Sequence, residues 1–264
     1  MTSTDKILVD RPAPQVVRLL INRPDKRNAI DYDVRQQLIE ALTRQLADGE
    51  TRALVLGGVG GNFSAGGDVP SMVGLSAAQA RERMRHVAGL CRLVGDAGIP
   101  VVTAMEGVSA GACIGLALLG DYIVVGDGTK ILFPFMKLGL VPDWGSLQTL
   151  PRRVGLPAAR RLMTLGQSVS GAESQRLGLA DELVVDVQVM DTAVRRASEL
   201  AALPQAAFAR MKQRLNAPSA TFDEELQREE DDQASLLLGE DFREGYAAFT
   251  EKRTADFVRR AGRA

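Results

Sequence analysis

With 264 residues, 45% hydrophobic and 25% charged, the chain has material for a sizeable core in one domain plus an appendage, and nothing implies disorder. A net charge of -1 and a pI near 6.0 give no global reason to expect nucleic acid or a membrane as partner, so any polyanion must be held locally. The two cysteines, Cys91 and Cys113, lie in apolar helical stretches and read as small buried hydrophobes of a reducing compartment, not as a disulfide framework.

The opening MTSTDKILVD lacks the basic and apolar regions of a signal peptide, and no apolar run approaches the ~20 residues of a membrane span. A cytoplasmic protein is expected. Ile7 to Val9 and Val16 to Ile21 are β-prone runs parted by Arg11-Pro12-Ala13-Pro14, which suits a hairpin. After the polar loop Asp25 to Asn28, a helix is predicted from about Asp31 to Leu46, with Val34, Leu38, Ile39 and Leu42 on one face and Asp31 or Asp33 as cap. The strand Ala53 to Leu56 then enters GGVGGNFSAGGDV, with glycine at 57, 58, 60, 61, 66 and 67. That loop has neither G-x-G-x-x-G before a helix nor G-x-x-x-x-G-K-S/T, so dinucleotide and P-loop readings fall away.

A long helix over Ala77 to Ala97 begins with Arg81, Glu82, Arg83 and Arg85 and carries His86, the single histidine. No second histidine or cysteine stands nearby at ligand spacing, so His86 reads as structural or surface and no metal is expected. No Ser/His/Asp or Cys/His pair falls in a hydrolase motif. In IPVVTAMEGVSAGACIGLALLGD (Ile99 to Asp121), Val101 to Thr103 is a short buried strand. Gly107, Ser109, Ala110, Gly111 and Ala112 have almost no side chain, and Cys113 to Leu119 is an apolar helix. A strand handing over to such a helix start exposes backbone N–H groups with no partner and little cover. Close packing alone would also explain the small residues.

The strand Tyr122 to Val125, a turn at Gly126 to Gly128, and Ile131 to Leu132 follow. Asp143, after Val141-Pro142, stands at or just before a helix running through Leu150, where the plain reading is an N-cap. From Pro157 the chain is nearly all helical, interrupted by the strand Glu182 to Val185. A composition shift near Pro204 divides an α/β core, 1–203, from a helical part, 204–264.

Five stretches together resemble the enoyl-CoA hydratase/isomerase, or crotonase, superfamily: NRPDKRNAI, FSAGGDV, GVSAGACIGLALLGD, LGLVPDWGSLQTLPRRVG and EGYAAFTEKRTADF. The resemblance spans nearly the whole chain and implies a spiral of β-β-α repeats whose C-terminal helices assemble a homotrimer or a dimer of trimers. It implies an acyl-CoA thioester as partner, with coenzyme A part of the substrate and no separate cofactor. In this family two backbone N–H groups grip the thioester oxygen and stabilise an enolate by preorganised dipoles. Motif alignment gives these roles to Ala65 and Ala112, the latter usually glycine. It lines the substrate site with Ala29, Ser64, Gly67, Asp68, Val69, Gly111, Phe135, Leu140 and Trp144, and places Lys26 and Arg27 near the CoA phosphates.

The two glutamates with which a hydratase activates water align with Gly115 and Phe135, so both carboxylates are missing. Glu106 is close by, at a strand-turn position. Asp143 stands where hydratases have a glycine. A carboxylate there resembles certain enoyl-CoA isomerases, the epoxyphenylacetyl-CoA type included, and the nucleophile of 4-chlorobenzoyl-CoA dehalogenase. The resemblance therefore implies an isomerase with Asp143 as acid/base. A hydratase of another arrangement, an aspartate-nucleophile aryl-CoA enzyme and a non-catalytic acyl-CoA binder remain open alternatives. Met72, Val73, Leu75, Phe135, Leu140 and Trp144 would admit an aliphatic chain or an aromatic ring.

Overall fold

The computed structural model describes residues 5–258; Met1 to Thr4, read above for a leader, and the end of the 204–264 segment lie outside the described residues. In chain order the elements are β1 (Ile7–Ala13), β2 (Val16–Ile21), α1 (Tyr32–Ala47), β3 (Ala53–Gly58), α2 (Ala77–Gly95), β4 (Val101–Met105), β5 (Val108–Ala110), α3 (Ala112–Leu118), β6 (Tyr122–Gly126) and β7 (Lys130–Leu132). They continue with α4 (Ser146–Val154), α5 (Leu156–Leu165), β8 (Val169–Ser170), α6 (Gly171–Arg176), β9 (Glu182–Val184), α7 (Val189–Ala201), α8 (Gln205–Asn216), α9 (Phe222–Leu237) and α10 (Glu240–Glu251).

A six-stranded sheet runs β1-β2-β3-β4-β6-β9, and a three-stranded one runs β5-β7-β8. Only β1·β2 and β7·β8 are antiparallel. Parallel neighbours need a crossover, and α1, α2 and α3 supply successive ones, so the chain coils into an α/β spiral. Alternation along β3 separates two apolar layers. Leu54 and Leu56 join the core beneath α1, α2 and α3, whereas Ala53 and Val55 face Val189, Ala193 and Ala197 of α7. Behind α2, α8 is tied down by a buried ion pair, Lys212 Nζ to Asp121 Oδ2 at 2.8 Å.

Several boundaries differ from the sequence reading. β1 reaches Ala13 through an irregular register, and the hairpin turns instead at Gln15, with φ 61°. Val108 to Ala110, expected as part of a glycine-bearing turn, form β5 because β7 pairs with them and Ser109 bridges to Ser64. The pairing draws the glycine-rich loop after β3 onto the start of α3.

Candidate active site

Two loops meet at Gly66. Its φ is +93°, and a Cβ there would run into the Ala110 carbonyl oxygen and lie 3.4 Å from the Ala112 nitrogen. Only glycine lets the FSAGGD loop approach α3 this closely. On either side of that contact stand two N–H groups with no hydrogen-bond partner among the described residues, those of Gly67 and Ala112. Ala112 is the first residue of α3, so its N–H has no intrahelical acceptor.

This corrects one sequence assignment. Ala65 cannot be a free donor, because its N–H donates to the Arg27 carbonyl at 2.8 Å. The residue types along FSAGGD are equally small throughout. Pairing decides which N–H is left over: Ile30 donates to the Gly66 carbonyl and accepts from Asp68, and Gly67, between them, is left pointing away.

Ser64 serves the scaffold. Wholly buried, its hydroxyl donates to the Asn28 carbonyl at 2.7 Å and receives the Gly66 N–H at 3.0 Å, while its carbonyl accepts from Ala110 and Cys113. Asp68 receives Arg23 Nη1 at 3.1 Å, and the Ala29 carbonyl receives the same nitrogen at 2.7 Å. Gly111, with φ 58°, donates to the Leu132 carbonyl and turns the chain into α3. Lys26 and Arg27 are exposed beside a 3₁₀ turn, with no ion pair among the described residues. Val69 and Leu140 are also exposed. Phe135 is buried and its carbonyl accepts the Leu140 N–H.

Asp143 is not a helix cap. α4 begins three residues later, after Gly145, and has no side-chain cap. Asp143 instead opens a turn in which Trp144 (φ 53°) and Gly145 (φ 76°) are both left-handed. The Ser146 N–H and hydroxyl donate to the Asp143 carbonyl, so the turn is closed without the Asp143 side chain. Its Oδ1 is buried without a partner. Burial pushes the Asp143 carboxyl above the usual range, against the pull of its own backbone N–H and of Arg83.

The same turn fills the space where Gly115 lacks a side chain. A Cβ on Gly115 would lie 2.5 Å from the Trp144 Cβ and 2.8 Å from the Trp144 carbonyl oxygen. The missing glutamate is therefore replaced by packing. Gly115→Glu is expected to leave the chain without gained hydration of a 2-enoyl-CoA and destabilised by at least about 1–3 kcal/mol, read as a lowered melting temperature. An efficient hydratase made by that one change would contradict the packing account.

Beside Asp143 opens a cavity of about 580 Å³ with a mixed lining, apolar at Met84, Val87 and Trp144 and polar at Arg92, Asp121 and Arg152 among others. Burial drives the Cys91 thiol up to about 12, and Cys113 upward as well, so neither is a thiolate at neutral pH. Glu106 lies elsewhere: it is raised by burial and then by Asp186, and its carbonyl accepts the Phe63 N–H. Among the described residues no cluster of three or more His, Cys, Asp or Glu could hold a metal.

The sequence reading missed Arg83. Its Nη2 would lie 3.4 Å from a Cβ on Gly67, and its charge faces both Asp143 and Asp68. The signal was its register, since Arg83, Val87, Leu90 and Val94 recur at helical spacing and the last three are buried.

A spiral of parallel strands, two N–H groups left without partners at a glycine contact and a half-buried carboxylate at the edge of a cavity form an arrangement able to hold an oxyanion and to take or give a proton. The profile described as enoyl-CoA hydratase/isomerase matches residues 13–260, and the chain belongs to that family. It is similar to 1,2-epoxyphenylacetyl-CoA isomerase of Escherichia coli (strain K12), 34% identical over 250 residues that cover 92% of this chain and 95% of that one. Crotonyl-CoA hydratase of Syntrophomonas wolfei is 30% identical, covering 91% and 93%. The crystal structure of enoyl-CoA hydratase from Bacillus anthracis superimposes with a TM-score of 0.90 at 26% identity, covering 96% and 99%. Relatives thus carry both isomerase and hydratase names.

Proposed function

We propose that the protein is an enoyl-CoA isomerase that moves a double bond through an enolate, with Asp143 as its single acid/base. The observation that carries this reading is the half-buried Asp143 carboxylate, which caps no helix and keeps Oδ1 buried without a hydrogen-bond partner, on the turn that closes the Gly115 position. In a 3-enoyl-CoA the C2 proton is acidified by the thioester. Asp143 takes it, the electron pair moves into the thioester carbonyl, and the N–H groups of Gly67 and Ala112 hold the resulting enolate oxygen. The enolate then collapses, the double bond appears between C2 and C3, and Asp143 returns the proton to C4. One carboxylate facing both carbons suffices, and no cofactor beyond the CoA of the substrate enters.

The experiment is turnover of 3-enoyl-, 2-enoyl- and aryl-CoA thioesters in ordinary and heavy water, followed by mass spectrometry. Isomerisation with exchange at C2 or C4 supports the reading, and efficient addition of water to a 2-enoyl-CoA refutes it. The raised Asp143 carboxyl gives the sign of the pH dependence, since the base form is lost as pH falls. kcat/KM is expected to drop on the acid side at a pH above the ordinary carboxylate range. Arg83→Met, which removes a cation favouring the charged form, should move that limb to higher pH; an unmoved limb would separate Arg83 from Asp143.

Lys26 and Arg27, exposed and unpaired, are suited to the CoA phosphates. The C-terminal helices are proposed to assemble a homotrimer or hexamer, because Leu238, just after α9, and Tyr246 and Phe249 of α10 are 76%, 63% and 83% exposed. Sedimentation of a concentrated sample as a monomer would remove that assembly. Among the described residues no helix is long and apolar enough to cross a membrane, and a cytoplasmic location accords with this reading.

A further inference from the structure

Between α1 and α2 lies a second cavity of about 220 Å³, to which Tyr32, Arg35, Ser71, Gln79, Arg83 and His86 contribute. Arg35 is 2% exposed. Among the described residues its only side-chain hydrogen bond is a long one, from Nε to His86 Nδ1 at 3.4 Å, and Nη1 is buried with no partner. The His86 ring is held in place by stacking on Tyr32 at 4.8 Å and by Gln36 Oε1, 3.1 Å from its Nε2. Burial, and after it the charge of Arg83, push the Arg35 guanidinium down to about 10, against the pull of Asp31 and Tyr32. Arg83 is partly buried and has no hydrogen bond or ion pair among the described residues.

The neighbouring carboxylates are committed elsewhere. Glu82, which also lines the cavity, is paired with Arg85 at the surface. Asp31 takes Lys6 and Arg23, and Asp68 takes Arg23. Asp143 faces Arg83, and Arg35 is left without any carboxylate within ion-pair distance. Burying a guanidinium beside a like charge is unfavourable unless an anion pairs with it.

We infer that this cavity binds an anionic group of carboxylate or phosphate type between the guanidinium groups of Arg35 and Arg83. Two planar forks satisfy such a group through charge-assisted bonds, including the orphaned Arg35 Nη1. The place of Arg83 says where the anion comes from. With Nη2 3.4 Å from the Cβ position of Gly67, it stands between the cavity and the thioester oxygen site, within reach of the acyl group. On the reading of the site given above, on which this step rests, the substrate is a CoA thioester whose acyl group itself carries an acid. The other source is a free anion.

The test has two arms, each run on wild type, Arg35→Met and Arg83→Met. In the first, inorganic phosphate and glutarate are titrated in the millimolar range against the melting temperature. In the second, kcat/KM is compared for 3-enoyl-CoA thioesters of equal length with and without a terminal carboxylate. The expected result is a preference of about 10- to 100-fold for the carboxylated thioester in wild type that falls toward unity in both variants. A melting temperature raised by a free anion in wild type alone, with no such preference, supports the site and assigns it to a free ligand. No rise with either probe together with equal kcat/KM in wild type overturns the proposal, whatever the variants do. Arg35→Lys, which keeps the charge and loses the fork, should retain only part of either effect. Asp143→Asn keeps the anion-induced rise if the cavity is a site, even if the isomerase reading fails.

Discussion

Asp143→Asn is expected to lower turnover of a 3-enoyl-CoA by at least ~100-fold while CoA affinity and melting temperature stay near wild type. The amide preserves size and turn geometry but cannot take a proton. The turn itself is closed through the Asp143 carbonyl, which the substitution does not touch. The side chain caps no helix and Oδ1 has no partner, so little folding free energy resides in the carboxylate. Burial disfavours the charged form of this carboxyl by more than Arg83 favours it, so the neutral amide takes away no net favourable ionic interaction of the fold. Rates would be followed by mass spectrometry of the CoA thioesters. Wild-type turnover by the variant would end the assignment of Asp143 as base, and loss of turnover with loss of folding would return the residue to a structural role.

Gly66→Ala is expected to cost about 10²- to 10³-fold in kcat, with a lowered melting temperature. The added methyl must escape the Ala110 carbonyl, and φ +93° is a conformation alanine rarely adopts. The FSAGGD loop then retreats from α3 and the N–H groups of Gly67 and Ala112 separate. An enolate oxygen held by one donor instead of two loses the stabilisation on which proton removal depends. The split between kcat and KM is diagnostic, because a donor needed mainly for the enolate affects kcat more than binding. Unchanged kcat would show that the two N–H groups do not act on the reacting oxygen.

Much of the architecture is legible in the sequence because its signals are local. Short β-branched runs such as Val101 to Thr103, the 3.6-residue stripe from Val34 to Leu42 and the glycine clusters each fall within one element, and each forms where expected. The motifs FSAGGDV and GVSAGACIG marked the two loops that meet at Gly66, but not the free N–H in the first, which belongs to Gly67 and not to Ala65. Asp143 stood out by being a carboxylate where the resemblance expects glycine.

What the sequence determined by itself, then, is an α/β core with a helical tail, and, through the motifs that carry its resemblance, the spiral, the family and the lack of a carboxylate at Gly115 and Phe135. Tertiary structure decided which N–H groups are free, since that depends on Arg27 and Ile30 reaching Ala65, Gly66 and Asp68, far along the chain, through a parallel bridge between two separate loops. It decided that Asp143 caps nothing, because Trp144 and Gly145 turn left-handed before α4 begins. It also decided that Arg35 and Arg83 share one cavity, a proximity created by the packing of α1 on α2. Local patterns fix what each segment can be, whereas partners and vacancies arise only when segments distant along the chain are brought together and some polar groups are left over.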